Sequence, residues 1–230
     1  MTIEIIPASH FTMQELTDLY NQTRVDYLVH MPMNAARLGE YARDFDVDLR
    51  QSCVARDADG HVLGLSMLGI RRDIAWVTRL GVLPSTRRTG AGSALMDCML
   101  ANADAHGMKE THLEVIKNNE PAHQLFLKKG FVEAGTYLVM RHAPRPLADT
   151  LQGDVTWLDF DAAMKKLESY PGHLTWINAF ESMRNAPNTE GLHIRLPGGG
   201  SGWLVYRNTK FTLRSTLSHL IIHTEQGNPR

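Results

Sequence analysis

The sequence predicts an α/β fold: a mixed, mostly antiparallel sheet flanked by helices, followed by a smaller α+β C-terminal domain. Three observations carry that expectation. β-rich runs at about 52–56, 61–71 and 73–82 are separated by turn chemistry, the pattern of an antiparallel meander. The third run passes through a short glycine-containing loop into a helical stretch, and another β-rich run follows at 111–116; a strand–helix–strand order implies a parallel pair with a right-handed crossover. Pro144 and Pro146 then block both helix and ladder, dividing the 230 residues into a domain over 1–145 and a second over 146–230.

Taken in order, residues 3–6 alternate and stop at Pro7, a short first strand. Thr12-Met13-Gln14-Glu15 is a capping box, in which the Thr12 hydroxyl accepts the N–H of Glu15 and Glu15 reaches back. Met13, Leu16, Leu19 and Tyr20 then repeat at helical spacing. The loop over 26–33 is rich in aromatic and thioether groups. Tyr27, His30 and Met31 are candidates to line a substrate pocket, since binding residues sit on loops over a rigid scaffold; covering the core is the alternative. Asn34 caps a second helix with Leu38, Tyr41, Ala42 and Phe45 on one face. Asp57-Ala58-Asp59-Gly60 is a turn, because Asp folds onto its own backbone and Gly tolerates positive φ. The helix after the loop carries Leu95, Cys98, Met99 and Asn102 on one side, with Gly107 at its C-terminal end.

The stretch Pro84-Ser85-Thr86-Arg87-Arg88-Thr89-Gly90-Ala91-Gly92-Ser93 holds the most chemistry. A helix N-terminus offers free N–H groups and the positive end of the dipole, so it attracts phosphate. Gly90 and Gly92 let an anion approach the backbone, and Arg87 and Arg88 add fork-shaped cations suited to phosphate oxygens. A P-loop requires Gly-Lys-Ser/Thr, and no lysine is present. A dinucleotide fingerprint requires a third glycine, where Leu95 stands. An ordinary strand-to-helix turn with surface arginines is the alternative.

What remains, Leu80-x-Val82-x-Pro84 followed by Arg87-x-x-Gly90-x-Gly92, resembles the acetyl-CoA signature of the GNAT family of N-acetyltransferases. A second stretch, Asn119 through Phe131, resembles that family's later signature at Asn119, Ala122, Leu125, Phe126, Gly130 and Phe131. Asn119 is a helix N-cap, Pro121 fits the first turn, Gly130 ends the helix, and a last strand is expected at 137–141. The resemblance covers about residues 1–142.

The resemblance implies acetyl-CoA as co-substrate, with no metal. The pantetheine arm is expected along Leu80, Gly81 and Val82 where the sheet splays. The pyrophosphate is expected on Arg87, Arg88, Thr89, Gly90, Ala91, Gly92 and Ser93. Asn119 and Phe126 are expected beside the cofactor. The activity implied is acyl transfer to an amine of a small molecule or peptide, and a non-catalytic acetyl-CoA-binding regulatory module is the alternative. Transfer needs a base for the amine and donors for the thioester carbonyl. Many members place a Glu on the strand before the loop; here that stretch is Trp76-Val77-Thr78-Arg79. Many place a Tyr in the later helix; here it is Phe126. Glu114 is the nearest candidate base, with a structural ion pair as its other role, and Asp73 and His112 are weaker candidates.

In the second part, eight Lys/Arg balance eight Asp/Glu over 147–230. Residues 162–170 read as a helix, Trp176, Phe180 and Met183 continue helical spacing, and 192–196 reads as a strand. A Pro-Gly break follows, then a hairpin over 203–206 and 211–213 and a strand over 217–224. Helices first and a meander after is the order of the first half of a GNAT unit. That makes a degenerate second copy, stopping where a phosphate loop would be due, one reading and an unrelated accessory domain the other. His219 and His223 lie on one strand face with no third ligand in sight, so a metal is not expected.

Composition narrows the classes. Hydrophobic content of 43% and charged content of 21% are ordinary for a globular protein. A net charge of -1 gives no bulk attraction to nucleic acid. No apolar run reaches the roughly 18 residues of a membrane helix. The N-terminus lacks the pattern of a signal peptide. A cytoplasmic protein with Cys53 and Cys98 as two reduced thiols is expected, acting on acetyl-CoA and an amine acceptor, with no nucleic-acid or membrane partner; a homodimer is an assembly this reading admits.

Overall fold

The computed structural model describes residues 2–143, 153–210 and 215–227. The chain divides into two compact units, Met1–Ala134 and Gly135–Arg230.

In the first unit, β1 (Ile3–Pro7), β2 (Cys53–Asp57), β3 (Val62–Arg71), β4 (Ile74–Val82) and β5 (Glu110–His112) form one sheet in that spatial order. The first three pairings are antiparallel and β4 with β5 is parallel. Helices α1 (Met13–Gln22) and α2 (Ala35–Asp44) start as the sequence predicts. The Thr12–Glu15 capping box forms in both directions, and the Asn34 side chain accepts from the N–H of Arg37. Helices α3 (Ala91–Ala105) and α4 (Glu120–Lys128) follow the loop.

Both sheet faces are covered. Leu16, Leu19, Tyr20 and Leu38 pack with Val54, Leu65 and Met67, while Leu95, Met96, Met99 and Phe126 pack with Leu63, Leu68 and Val77. Coverage on both sides explains why β3 is a nearly unbroken apolar run instead of an alternation.

Three expectations are corrected. The strand expected over 111–116 is confined to Glu110–His112, because β5 pairs with β4 only at Ile74, Ala75 and Trp76. Residues 137–141 form no strand; a period of two makes a ladder only against an available edge, and Tyr137, Leu138, Val139 and Met140 are exposed. Cys53 and Cys98, expected as separate thiols, are joined as a disulfide between β2 and α3. The side of α3 that carries Cys98 faces β2, a proximity that a separation of 45 residues hides from the sequence.

The second unit has β6 (Asp154–Leu158), α5 (Phe160–Glu168), α6 (Phe180–Asn185), β7 (Thr189–Arg195), β8 (Ser201–Lys210) and β9 (Ser215–Gln226). Its sheet runs β6-β7-β8-β9, antiparallel throughout. Its core joins Ala163, Met164, Leu167 and Met183 to Trp203, Val205 and Ile221. Strand β6 was not expected. Its side chains are largely exposed, with Trp157 at 71%, so no strong apolar pattern announces it. The expected linker at Pro144-Arg145-Pro146 and the strand over 211–213 lie outside the described residues.

Candidate active site

The site forms where β4 loses its neighbours. Pairing with β5 ends at Trp76, so the edge of β4 beyond it has no ladder partner from β5. The β3 register also shifts, from Met67 opposite Thr78 to Leu65 opposite Gly81, and Arg79 takes a φ of 55°. A bulge of this kind inserts residues into one strand and redirects their side chains.

Glycine makes the close approaches there. A Cβ on Gly64 would lie 2.3 Å from the carbonyl oxygen of Gly81, and one on Gly81 would lie 2.4 Å from Oγ1 of Thr23. Only a bare backbone at position 81 lets the end of α1 rest on β4, and that contact delivers the next residue, Arg24, to the cleft. The cleft is small, about 80 Å³, and bounded by Arg24, Tyr27, Arg79, Glu114, Asn119 and Phe126 among others.

The guanidinium of Arg24, 9% exposed, lies over the rings of Tyr20 and Tyr27 at 4.8 and 4.5 Å, and its Nη2 donates to the carbonyl of Leu80 at 3.4 Å. That of Arg79 lies 4.2 Å from the Tyr41 ring, and its Nη1 donates to the Tyr20 hydroxyl at 3.0 Å. Tyr41 shares a 2.6 Å hydrogen bond with Thr78, and burial pushes its phenol pKa up. Glu114 is exposed as a residue, yet its carboxylate accepts the indole N–H of Trp76 at 2.7 Å. Desolvation of the carboxyl outweighs that bond and raises the pKa above the ordinary 4.5.

The loop leading to α3 has its own character. Arg88 and Gly90 take φ values of 65° and 96°. No side chain caps α3, whereas Thr12, Asn34 and Asp159 cap α1, α2 and α5. The N–H groups at its start are therefore the orphan donors of an uncapped helix. Arg88 makes no hydrogen bond or ion pair among the described residues. Arg87 instead forms a bidentate pair with Asp26, both contacts at 2.6 Å, which lowers the Asp26 pKa and raises that of Arg87.

The expected residues thus fall into groups. Leu80, Gly81 and Val82 lie on the β4 edge and lead through the loop Arg87, Arg88, Thr89 into Gly90, Ala91, Gly92 and Ser93. Asn119 stands at the N-cap of α4, but its side chain caps nothing there and it borders the cleft with Phe126. Phe126 is 7% exposed and packs edge-on to Phe131. Tyr27 reaches the cleft, while His30 is exposed and Met31 contributes its carbonyl to the Tyr20 hydroxyl. Asp73 and His112 are held by Lys109 and Glu110. A Cβ on Gly92 would make ordinary contacts with Leu125 and Val82 at 3.5 Å, so the steric demand of the loop rests on Gly90. Sequence reasoning missed Arg24, Arg79 and Tyr41, whose meeting depends on the bulge and on Gly81.

A larger recess in the second unit, about 470 Å³, is bounded by Lys166, His193, Arg195 and Glu225. Lys166 and His193 both contact Glu225 there, at 2.5 and 2.8 Å, so that carboxylate is already engaged.

The model of the family described as "Acetyltransferase (GNAT) family" matches residues 13–131. An uncharacterised N-acetyltransferase of Mycobacterium bovis is 34% identical over 106 residues, 45% of this chain and 65% of that protein. A mycothiol acetyltransferase of Clavibacter michiganensis is 37% identical over 90 residues, 39% of this chain and 29% of that protein. The chain therefore spans less than two thirds of these relatives. The crystal structure of Ard1 from Thermoplasma volcanium superposes with a TM-score of 0.50 at 24% identity, covering 59% of this chain and 86% of that one, a likeness of fold.

Proposed function

Because the chain belongs to the acetyltransferase (GNAT) family, we propose that it transfers an acetyl group from acetyl-CoA to the amino group of a small molecule or peptide. The observation that carries this reading is the continuity of the open β4 edge, Leu80 to Val82, with the uncapped start of α3. The residues fit the cofactor: orphan N–H groups, an unengaged Arg88 and a left-handed Gly90 suit a pyrophosphate, and strand backbone beside the cleft suits an amide-containing arm. Acetyl-CoA, when bound, supplies the activated acetyl group.

Within that reading the chain's own groups divide the work. Backbone N–H groups on the β4 edge orient the thioester carbonyl and favour negative charge on its oxygen. Glu114 takes the proton of the incoming amine as the C–N bond forms and the C–S bond breaks. Its raised pKa brings it nearer the range in which a base is effective. Phe126 cannot exchange a proton and shapes the cleft. Calorimetry with acetyl-CoA, followed by release of free CoA thiol with a panel of amines, tests the reading. Binding with turnover of at least one amine supports it. Binding without turnover favours a regulatory module, and no binding removes the proposal.

A further inference from the structure

We propose that the acceptor is a small amine carrying a carboxylate near its amino group, in the manner of a free amino acid, and that the guanidinium groups of Arg24 and Arg79 pair that carboxylate. This deepens the acetyltransferase reading and rests on it.

Two guanidinium groups border one small cleft, and neither forms an ion pair with a carboxylate among the described residues. Their polar and aromatic neighbours are neutral: the Leu80 carbonyl, the Tyr20 hydroxyl, and the rings of Tyr20, Tyr27 and Tyr41. The Nε atoms of both arginines are buried without a hydrogen-bond partner. Buried cations and buried donors are ordinarily paired, because leaving either unsatisfied in a poorly solvated place is costly. Cation–π contact with the tyrosine rings holds the guanidinium groups in place, yet leaves donors at their edges.

Glu114 does not supply the missing anion. Its carboxylate accepts from Trp76, and its pKa is raised, opposite to the effect of a facing guanidinium. The phosphates of acetyl-CoA are assigned to the start of α3, and its thioester is neutral. Before the thiolate leaves, the donor brings no anion to this cleft, and the acceptor is the molecule left to supply one at Arg24 and Arg79. Guanidinium matches a carboxylate with two parallel hydrogen bonds, and the cleft of about 80 Å³ suits a compact molecule. One end then holds the carboxylate, and Glu114 on the same cleft wall receives the proton of the neighbouring amine.

The test uses the full chain. CoA thiol release is measured with acetyl-CoA and each common amino acid, in parallel with the carboxamide of each, and with phosphoethanolamine beside ethanolamine. At least one amino acid should exceed its carboxamide by tenfold or more in kcat/KM. That ratio should fall toward one in Arg79→Gln and in Arg24→Gln and be partly kept in Arg79→Lys, each checked for a native melting profile. Calorimetry of the same amino acid into the CoA-saturated protein should show binding that both Gln variants lose. Equal use of acids and carboxamides overturns the proposal while leaving the acetyltransferase reading in place. So does a preference that survives both Gln substitutions. A uniform loss of kcat for every amine in Arg79→Gln assigns the arginine to the leaving thiolate and overturns it, as does turnover confined to phosphoethanolamine. Acetyl-CoA binding with no amine turned over overturns both readings.

Discussion

The two units are built to one plan with different outcomes. In the first, β1, α1, α2, β2, β3 and β4 follow one another and the strands lie in the order β1-β2-β3-β4; in the second, β6, α5, α6, β7, β8 and β9 do the same. Each carries a register shift between its third and fourth strands, beside a non-glycine residue of positive φ, Arg79 at 55° and His219 at 52°. The first unit continues into a loop and α3, which cover the second face of its sheet. In the second, Trp157, Leu192, Leu204 and Ile222 stand in one row across four strands, each paired with the next, and Trp157 and Ile222 are exposed. The bulge alone therefore does not make a site. At Arg79 it opens beside an unpaired strand edge and an uncapped helix. At His219 the ring bonds to Asn178 at 2.8 Å, and burial lowers its pKa to about 4.

The largest effect that tests this contrast is expected at Gly90. Gly90→Val forces a branched residue into a φ of 96° and should weaken acetyl-CoA binding about a hundredfold or more, with the fold kept. Gly92→Ala, with room for its Cβ, should do far less. Equal losses, measured by calorimetry, would undo the distinction between the two glycines. Wild-type titration should also give one acetyl-CoA per chain, because no counterpart of the loop and α3 stands among the described residues of the second unit; two would break the comparison.

Next comes Glu114→Gln. Removal of a general base costs on the order of a hundredfold or more in turnover. Because the carboxylate is the working form and its pKa is raised, wild-type activity should climb with pH through a limb above 4.5. The Gln variant should lack that limb, and an unchanged pH–rate profile would remove Glu114 as the base.

A smaller effect separates the units by stability. His219 is neutral when buried and protonates more readily when unfolded, so its contribution is complete above an unfolded pKa of about 6.5 and is lost as pH falls toward 4. The loss is on the order of 3 kcal/mol, from the cost per pKa unit. His219→Gln should flatten the pH dependence of thermal unfolding over that window, and an unaltered slope would deny the role.

The smallest effect concerns Arg87. Its partner Asp26 is about half exposed, so solvent screens their pair and it holds Arg87 only weakly. Asp26→Asn should free the guanidinium and tighten acetyl-CoA binding a few-fold at low salt, a gain that shrinks as salt rises. A weakened affinity would mean that the pair orders the loop instead of competing with phosphate.

The sequence by itself determined what is local. The Thr12–Glu15 capping box, the Asn34 cap, the Asp57–Gly60 turn and the left-handed helix-end glycines Gly107 and Gly130 are short-range chemistry, and each is found where its residues put it. The two motifs around Gly90 and Asn119 are likewise local, and both lie within the residues 13–131 that the family model matches. Tertiary structure decided what depends on separated residues. The weakly patterned β6, the missing strand at 137–141, the Cys53–Cys98 bond and the Arg87–Asp26 pair all turn on which partner lies opposite. The grouping of Arg24, Arg79, Tyr41 and Glu114 is of the same kind. It follows from a register shift in β4 and from a glycine that lets α1 touch the strand, and both are properties of a paired backbone and not of any one segment.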